Sequence, residues 1–299
     1  MARGSRMTQV HRSSRAPEPG NRELTLGFSP CPNDTFIFHA LVHGRICAPG
    51  LSFHPVLEDV ETLNRWAFDQ RLAVTKISFH AFGHLRNRYA LLSSGAALGR
   101  GCGPLIVARD PTARDRLDRA RVAIPGRWTS AALLLRLFAP QIREAQMVEM
   151  PFHRILEAVE HGEVDAGLII HESRFTFEAH GLVALEDLGA WWERESGLPI
   201  PLGAILADRG LGSTAIDGID RALRESVRFA RAHPEGSEDY IRRHAQELSP
   251  EVIRAHIALY VNDFTIDLGE EGHRAIEALF EAAELRGILP RHSGPLGVR

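Results

Sequence analysis

Cysteine is scarce in this 299-residue chain, which has only Cys31, Cys47 and Cys102. They form no CxxC pair and no even set, so neither a disulfide framework nor a thiol redox motif is indicated. Unpaired thiols fit a reducing, cytoplasmic compartment most simply. Long apolar runs are missing as well. The longest, Ala131 to Ala139, is broken by Arg136 and falls far short of the ~20 residues that a membrane-crossing helix needs. No surplus of positive charge exists either: 38 acids stand against 35 Lys plus Arg, a formal net charge of −3. Nucleic-acid binding normally leaves a basic surplus or stripe, so no nucleic-acid partner is expected. Residues 1–22 are rich in Arg, Ser and Pro and lack the apolar stretch of a secretory signal. They read as a disordered N-terminal extension.

The remaining sequence has the mixture of a globular protein, 44% apolar and 24% charged. Its length allows about two domains. Leu24 to Phe28 reads as a strand, followed by the loop Ser29-Pro30-Cys31-Pro32-Asn33-Asp34 and a helix from Thr35 to about His43. Asn33 or Asp34 is placed to cap that helix. Leu51 to Leu57, Val74 to Phe79 and Arg121 to Ile124 read as further strands. Val60 to Phe68, Ser130 to Phe138 and Phe152 to Glu160 read as helices. Val164 to Ile170 is almost wholly apolar, as in a strand buried on both faces. Farther on, Ile216, Ile219, Leu223, Val227 and Ala230 recur at helical steps, so the last third is mostly helical. Strands alternating with helices make an α/β protein.

Two segments resemble one another. Gly103 to Arg109 and Pro201 to Arg209 are both apolar, and both end with Ala and Arg. If they pair, they enter and leave a middle lobe, with a cleft at the crossing. The expected division is a first lobe over 23–108, a second over 109–201, and a return to the first over 202–299. Two unrelated buried strands would explain the pattern equally well.

Several stretches could carry chemistry. Gly99-Arg100-Gly101-Cys102-Gly103 lacks the Lys-Ser or Lys-Thr and the following helix of a phosphate loop, so it reads as a turn. The pairs His39/His43 and His80/His84 have no HExxH context and no nearby carboxylate at ligand spacing, so no metal site is expected. Gly126 to Ser130 opens a helix, where free N–H groups favour carboxylate or phosphate; an ordinary Thr or Ser cap is the plainer alternative. Lys76, with Ser78, ends an otherwise apolar strand, so its ammonium needs a charged partner or a ligand. His171 follows the Val164 to Ile170 run and emerges at that strand's carboxyl end, where α/β sheets hold their ligands. With a reference pKa near 6.5 it suits a general base, though a hydrogen-bonded strand-end His reads equally well.

Longer motifs add to this. Phe28-Ser-Pro-Cys-Pro-Asn-Asp-Thr-Phe-Ile-Phe-His-Ala-Leu-Val-His-Gly44 strongly resembles the 1,4-dihydroxy-6-naphthoate synthases of the futalosine route to menaquinone. The resemblance runs on through Leu57-Glu-Asp-Val-Glu-Thr-Leu-Asn64, Thr75-Lys-Ile-Ser78, Gly167-Leu-Ile-Ile-His171-Glu-Ser-Arg-Phe-Thr176, Gly189-Ala-Trp-Trp192 and Leu198-Pro-Ile-Pro-Leu-Gly-Ala-Ile205. It spans about residues 24 to 285. It implies a two-lobed fold like the type II periplasmic binding proteins. It also implies a lyase that converts cyclic dehypoxanthinyl futalosine to 1,4-dihydroxy-6-naphthoate and dihydroxyacetone, with no cofactor or metal required. By the same resemblance His171 is the proton acceptor. Lys76, Ile77, Ser78, Ser130 and Ala131 are the substrate contacts. Trp128-Thr129-Ser130 departs from the family's usual His-Thr-Thr, and the extension at 1–22 departs too. The alternatives are a non-catalytic binding protein for a small carboxylate and the chorismate dehydratase of the same route. The Ser-Pro-Cys-Pro-Asn-Asp opening points away from the latter. Oligomeric state is not legible.

Overall fold

The computed structural model describes residues 21–245 and 249–297. The expectation for residues 1–22 therefore lies outside the described residues except at Asn21 and Arg22, and Arg22 already opens the first strand.

The strands are β1 (Arg22–Phe28), β2 (Leu51–Leu57), β3 (Val74–Ser78), β4 (Tyr89–Leu91), β5 (Ala97–Gly99), β6 (Leu105–Ala108), β7 (Val122–Ile124), β8 (Met147–Glu149), β9 (Ala166–Ile169), β10 (Val183–Asp187) and β11 (Ile200–Asp208). The helices are α1 (Pro32–Val42), α2 (Val60–Phe68), α3 (Phe79–Leu85), α4 (Ser130–Phe138), α5 (Ile155–Glu160), α6 (Ser173–Thr176), α7 (Leu188–Ser196), α8 (Ser213–Ala232), α9 (Glu238–His244), α10 (Pro250–Tyr260), α11 (Asp263–Ile266) and α12 (Gly269–Leu285). One sheet has the order β2-β1-β3-β11-β4, with β5 also paired to β11; the other runs β10-β6-β9-β7-β8. In each, three parallel strands form one end and the antiparallel strands the other. This is the two-lobed α/β architecture expected.

The look-alike segments turn out not to be partners. Leu105–Ala108 lies in the second sheet, between β10 and β9, whereas Ile200–Asp208 lies in the first, against β3, β4 and β5. The chain changes sheet between Gly99 and Leu105, and again between Asp187 and Ile200. At the first crossing the backbone passes so close to α7 that a Cβ on Gly103 would sit 2.2 Å from the Gly189 nitrogen. Leu188 N–H also donates to Pro104 O there, at 3.0 Å. Glycine at both positions permits that approach.

Local sequence explains most boundaries. Val60–Phe68 is helical because Asp59 caps it, accepting the Glu61 and Thr62 N–H groups at 3.0 Å each. In α8, Ile216, Ile219, Leu223, Val227 and Ala230 are all buried, as their spacing requires. The capping expected of Asn33 or Asp34 does not occur. Cys31 is the N-cap and Pro32 occupies the first turn, where its fixed φ and missing N–H do no harm. Asp34 instead turns its carboxylate back to Ser29.

The apolar core does not respect the division into sheets. Ile77, Phe79, Ala204 and Leu206 on the first side, Ile106, Val122 and Leu168 on the second, and Leu133 to Leu135 of α4 belong to one continuous buried cluster. Burial at about 25 cal/mol per Å² makes such a cluster the main source of stability.

Candidate active site

The carboxyl ends of β1, β3, β7 and β9 face one cleft between the sheets, with about 690 Å³ of empty space, open solvent included. Lys76, Ile77, Ser78, Ser130, Ala131 and His171 all line it. These residues come from both sheets.

Lys76 is buried, and its charged partner is Asp34 rather than an absent ligand. The ammonium meets Asp34 Oδ1, which also accepts from Asn33 Nδ2 at 2.8 Å. Asp34 Oδ2 accepts from the Ser29 N–H at 3.1 Å and the Ser29 hydroxyl at 2.7 Å. The Pro-Cys-Pro-Asn-Asp loop thus cancels the lysine charge and fixes its position. Ser78 is held from the other side. Asn64 accepts the Ser78 N–H at 2.9 Å and donates to Ser78 Oγ at 3.2 Å. Asn64 in turn donates to the buried Glu61 carboxylate. Ser78 Oγ accepts that bond, so its own proton remains to be given away.

Glu61 joins the two sides of the cleft. It accepts the Trp128 N–H at 3.2 Å, just before α4. Burial raises its pKa, against the hydrogen bonds from Asn64 and Trp128, which lower it. Thr129 is the residue that caps α4: its Oγ1 accepts the Ala132 N–H at 3.1 Å and donates to Gly126 O at 2.7 Å. Ser130 does not cap. Its hydroxyl donates to Leu202 O at 2.6 Å, tying α4 to β11. The N–H groups of Ser130 and Ala131 have no acceptor within the helix, since they belong to its first turn. They form the helix-start donor set at the cleft. The Trp128 ring packs against Phe68 at 4.7 Å and His84 at 5.2 Å, which accounts for an aromatic there.

His171 sits just beyond β9, as expected, but with φ +56, a left-handed conformation that few non-glycine residues adopt. Its ring lies between Phe152, at 5.1 Å, and His256, parallel at 6.0 Å. Among the described residues nothing hydrogen-bonds either ring nitrogen. Burial lowers its pKa to about 4; Asp34 opposes the shift and Lys76 reinforces it. The imidazole is therefore neutral at pH 7, with a lone pair available. Arg174, close by in sequence, is structural: it donates to Gly103 O and to Asp187 Oδ2, both at 2.6 Å.

A model of the family described as menaquinone biosynthesis matches residues 24–285. The chain belongs to the menaquinone biosynthesis family. A relative from Thermus thermophilus, named 1,4-dihydroxy-6-naphtoate synthase, is 58% identical over 275 residues, covering 92% of this chain and 99% of its own. A relative of the same name from Streptomyces coelicolor is 46% identical, covering 89% and 95%. The crystal structure of protein AF1704 from Archaeoglobus fulgidus matches with a TM-score of 0.84 at 39% identity, over 89% of this chain and 98% of that one. The alkanesulfonate-binding protein SsuA from Xanthomonas axonopodis pv. citri matches at 0.65 and 15% identity, over 92% and 96%. That likeness shows the fold alone, and the fold is that of periplasmic binding proteins. The chain is thus an enzyme of menaquinone biosynthesis on a binding-protein scaffold.

Residue-by-residue reading missed several cleft residues of this family member. Tyr260 and Cys102 line the cleft, and His256 is wholly buried behind it. His256 Nε2 donates to Asn33 Oδ1 at 2.9 Å, a contact between residues 223 apart in sequence. The Ser-Pro-Cys-Pro-Asn-Asp motif could have flagged Asn33; nothing local flags His256. The histidine pairs considered for metal form no ligand cluster among the described residues. The one group there that could hold an ion is Cys31, His171 and Glu172.

Proposed function

We propose that the chain is the carbon–carbon lyase that converts cyclic dehypoxanthinyl futalosine to 1,4-dihydroxy-6-naphthoate and dihydroxyacetone. The observation that carries this reading is the neutral imidazole of His171 in the same cleft as Lys76, Ser78 and the start of α4. His171 acts as the general base and takes the acidic proton next to a substrate carbonyl. The electron pair left behind drives the carbon–carbon cleavage, and aromatisation of the new ring supplies much of the driving force. A positioned base typically contributes about 10²–10⁴-fold in rate. Lys76, the Ser78 hydroxyl and the Ser130 and Ala131 N–H groups bind the ring carboxylate or a developing oxyanion. Ile77 and Ala131 supply apolar wall.

Support for the product comes from the names of the two relatives, each aligned over nine-tenths or so of this chain; the substrate rests on the motif resemblance. The test is turnover of cyclic dehypoxanthinyl futalosine by wild type and His171→Ala, following 1,4-dihydroxy-6-naphthoate by mass spectrometry. Product from wild type and a loss of about 10²-fold or more in the variant is expected. Equal rates would remove His171 as base. Tight binding without product in either would favour a non-catalytic carboxylate-binding protein.

A further inference from the structure

Behind the cleft, a thiol, an imidazole and a carboxylate converge. Cys31 Sγ, a ring nitrogen of His171 and a carboxylate oxygen of Glu172 all lie within 4.8 Å of one another. Cys31 and Glu172 are buried, and His171 is partly so. They come from two places, the N-cap of α1 and the turn after β9, so only the folded chain brings them together. A fourth group faces them. His256 is 0% exposed, and its Nδ1 lies 3.9 Å from Glu172 Oε2. Its Nε2–H is committed to Asn33 Oδ1, so Nδ1 presents a lone pair. Among the described residues that lone pair has no hydrogen-bond partner. Leaving a buried acceptor unsatisfied costs about 1–3 kcal/mol.

We propose that Cys31, His171 and Glu172 form a binding site for a thiophilic divalent cation of the zinc type, backed by the His256 Nδ1 lone pair. Sulfur, nitrogen and oxygen donors in one small set suit zinc, which accepts all of them and needs only modest inward movement of the side chains. The charges also close. One thiolate and one carboxylate cancel a divalent cation, so the filled site is neutral in a dry place. The nearby Lys76 charge is already cancelled by Asp34. Both imidazoles are held neutral by burial, which is the ligating form. Burial, Glu172 and Asp34 keep the Cys31 thiol protonated while no cation is present. Binding exchanges the S–H bond for an S–metal bond and sends one proton to solvent. This departs from the expectation of no metal site, which rested on the histidine pairs and the carboxylates near them in sequence. A cation there would occupy the His171 lone pair and exclude proton abstraction, so it acts as an inhibitor. The site does not depend on His171 being the base.

The test uses the full chain with Cys47→Ser, which removes the exposed thiol. Cobalt(II) titration is expected to give a thiolate-to-cobalt charge-transfer band that saturates at one equivalent and is displaced by zinc. Adding Cys31→Ser abolishes the band, and Cys102→Ser leaves it. The loss in zinc affinity with Cys31→Ser should exceed the 10–100-fold or so that removing an outer-shell partner costs. X-ray absorption at the zinc edge on the Cys47→Ser chain, with Cys31 present, is expected to show one sulfur with nitrogen and oxygen neighbours. That readout holds even if Cys31→Ser folds poorly. A sulfur-free zinc shell, or a band that survives Cys31→Ser, overturns the proposal. None of these readouts is turnover, so the site and the lyase reading stand or fall separately.

Discussion

Replacing Lys76 with methionine tests how the cleft is held. The Lys76–Asp34 pair is dry, with side-chain exposures of 8% and 2%. Removing one partner of such a pair leaves an uncompensated buried charge and costs about 3–5 kcal/mol. Asp34 keeps the Ser29 N–H, the Ser29 hydroxyl and Asn33 as donors, so Lys76→Met belongs at the lower end of that range. Asp34→Asn belongs at the upper end, because it strands the ammonium and scrambles all of those bonds. The double variant Asp34→Asn/Lys76→Met is expected to fall short of the sum by about 2 kcal/mol, since directly interacting residues couple by 0.5–3 kcal/mol. Urea unfolding followed by tryptophan fluorescence reads this out. At an m-value of about 3 kcal/mol per molar, a 3 kcal/mol loss moves the midpoint by about 1 M. A loss below about 1 kcal/mol for Lys76→Met, or strict additivity in the double variant, would refute the claim that a desolvated ion pair fixes this wall.

Two further outcomes follow from the same geometry. His171 has its pKa lowered from 6.5 to about 4, and a base must be unprotonated to act. The acidic limb of kcat/KM should therefore rise through pH about 4 and be flat across 6.5; a limb centred at 6.5 would contradict the burial of the ring. Ser130→Ala deletes the bond from the Ser130 hydroxyl to Leu202 O and should cost about 1 kcal/mol of stability. KM should stay within about twofold, because the variant keeps the backbone N–H; a tenfold rise, equivalent to about 1.4 kcal/mol, would mean that the hydroxyl itself binds substrate.

Much of the architecture was legible because it is local. The Ala-Ala-Leu-Leu-Leu run after Thr129 defines α4, and the spacing from Ile216 to Ala230 defines the buried face of α8. His171 could be placed at a strand's carboxyl end because the preceding residues are apolar enough to be buried on both faces. What could not be read is what only the fold brings together. Lys76 needed a partner, but nothing in its neighbourhood says that the partner lies 42 residues earlier. Ser78, Asn64, Glu61 and Trp128 form a chain of contacts across both sheets; Asn64 and Glu61 share a face of α2, but no periodicity relates Ser78 to Asn64 or Glu61 to Trp128. The left-handed turn at His171 is also invisible beforehand, since histidine occupies that region only occasionally. The two look-alike apolar segments misled because burial selects the same residue types in either sheet.

The buried cluster shared by the two sheets bears on how anything reaches the cleft. Binding proteins of two lobes are often pictured as halves swinging about a hinge. Here such a swing would have to part Leu133 to Leu135 of α4 from their neighbours on both sides and wet an interior that is otherwise sealed. Glu61 to Trp128 and Arg65 to Glu149 would have to break with it. A wide opening of the cleft would therefore cost buried apolar contacts on both sides of α4 as well as those polar bonds. The apolar interior thus runs unbroken from one sheet to the other, where a wide jaw would have to interrupt it.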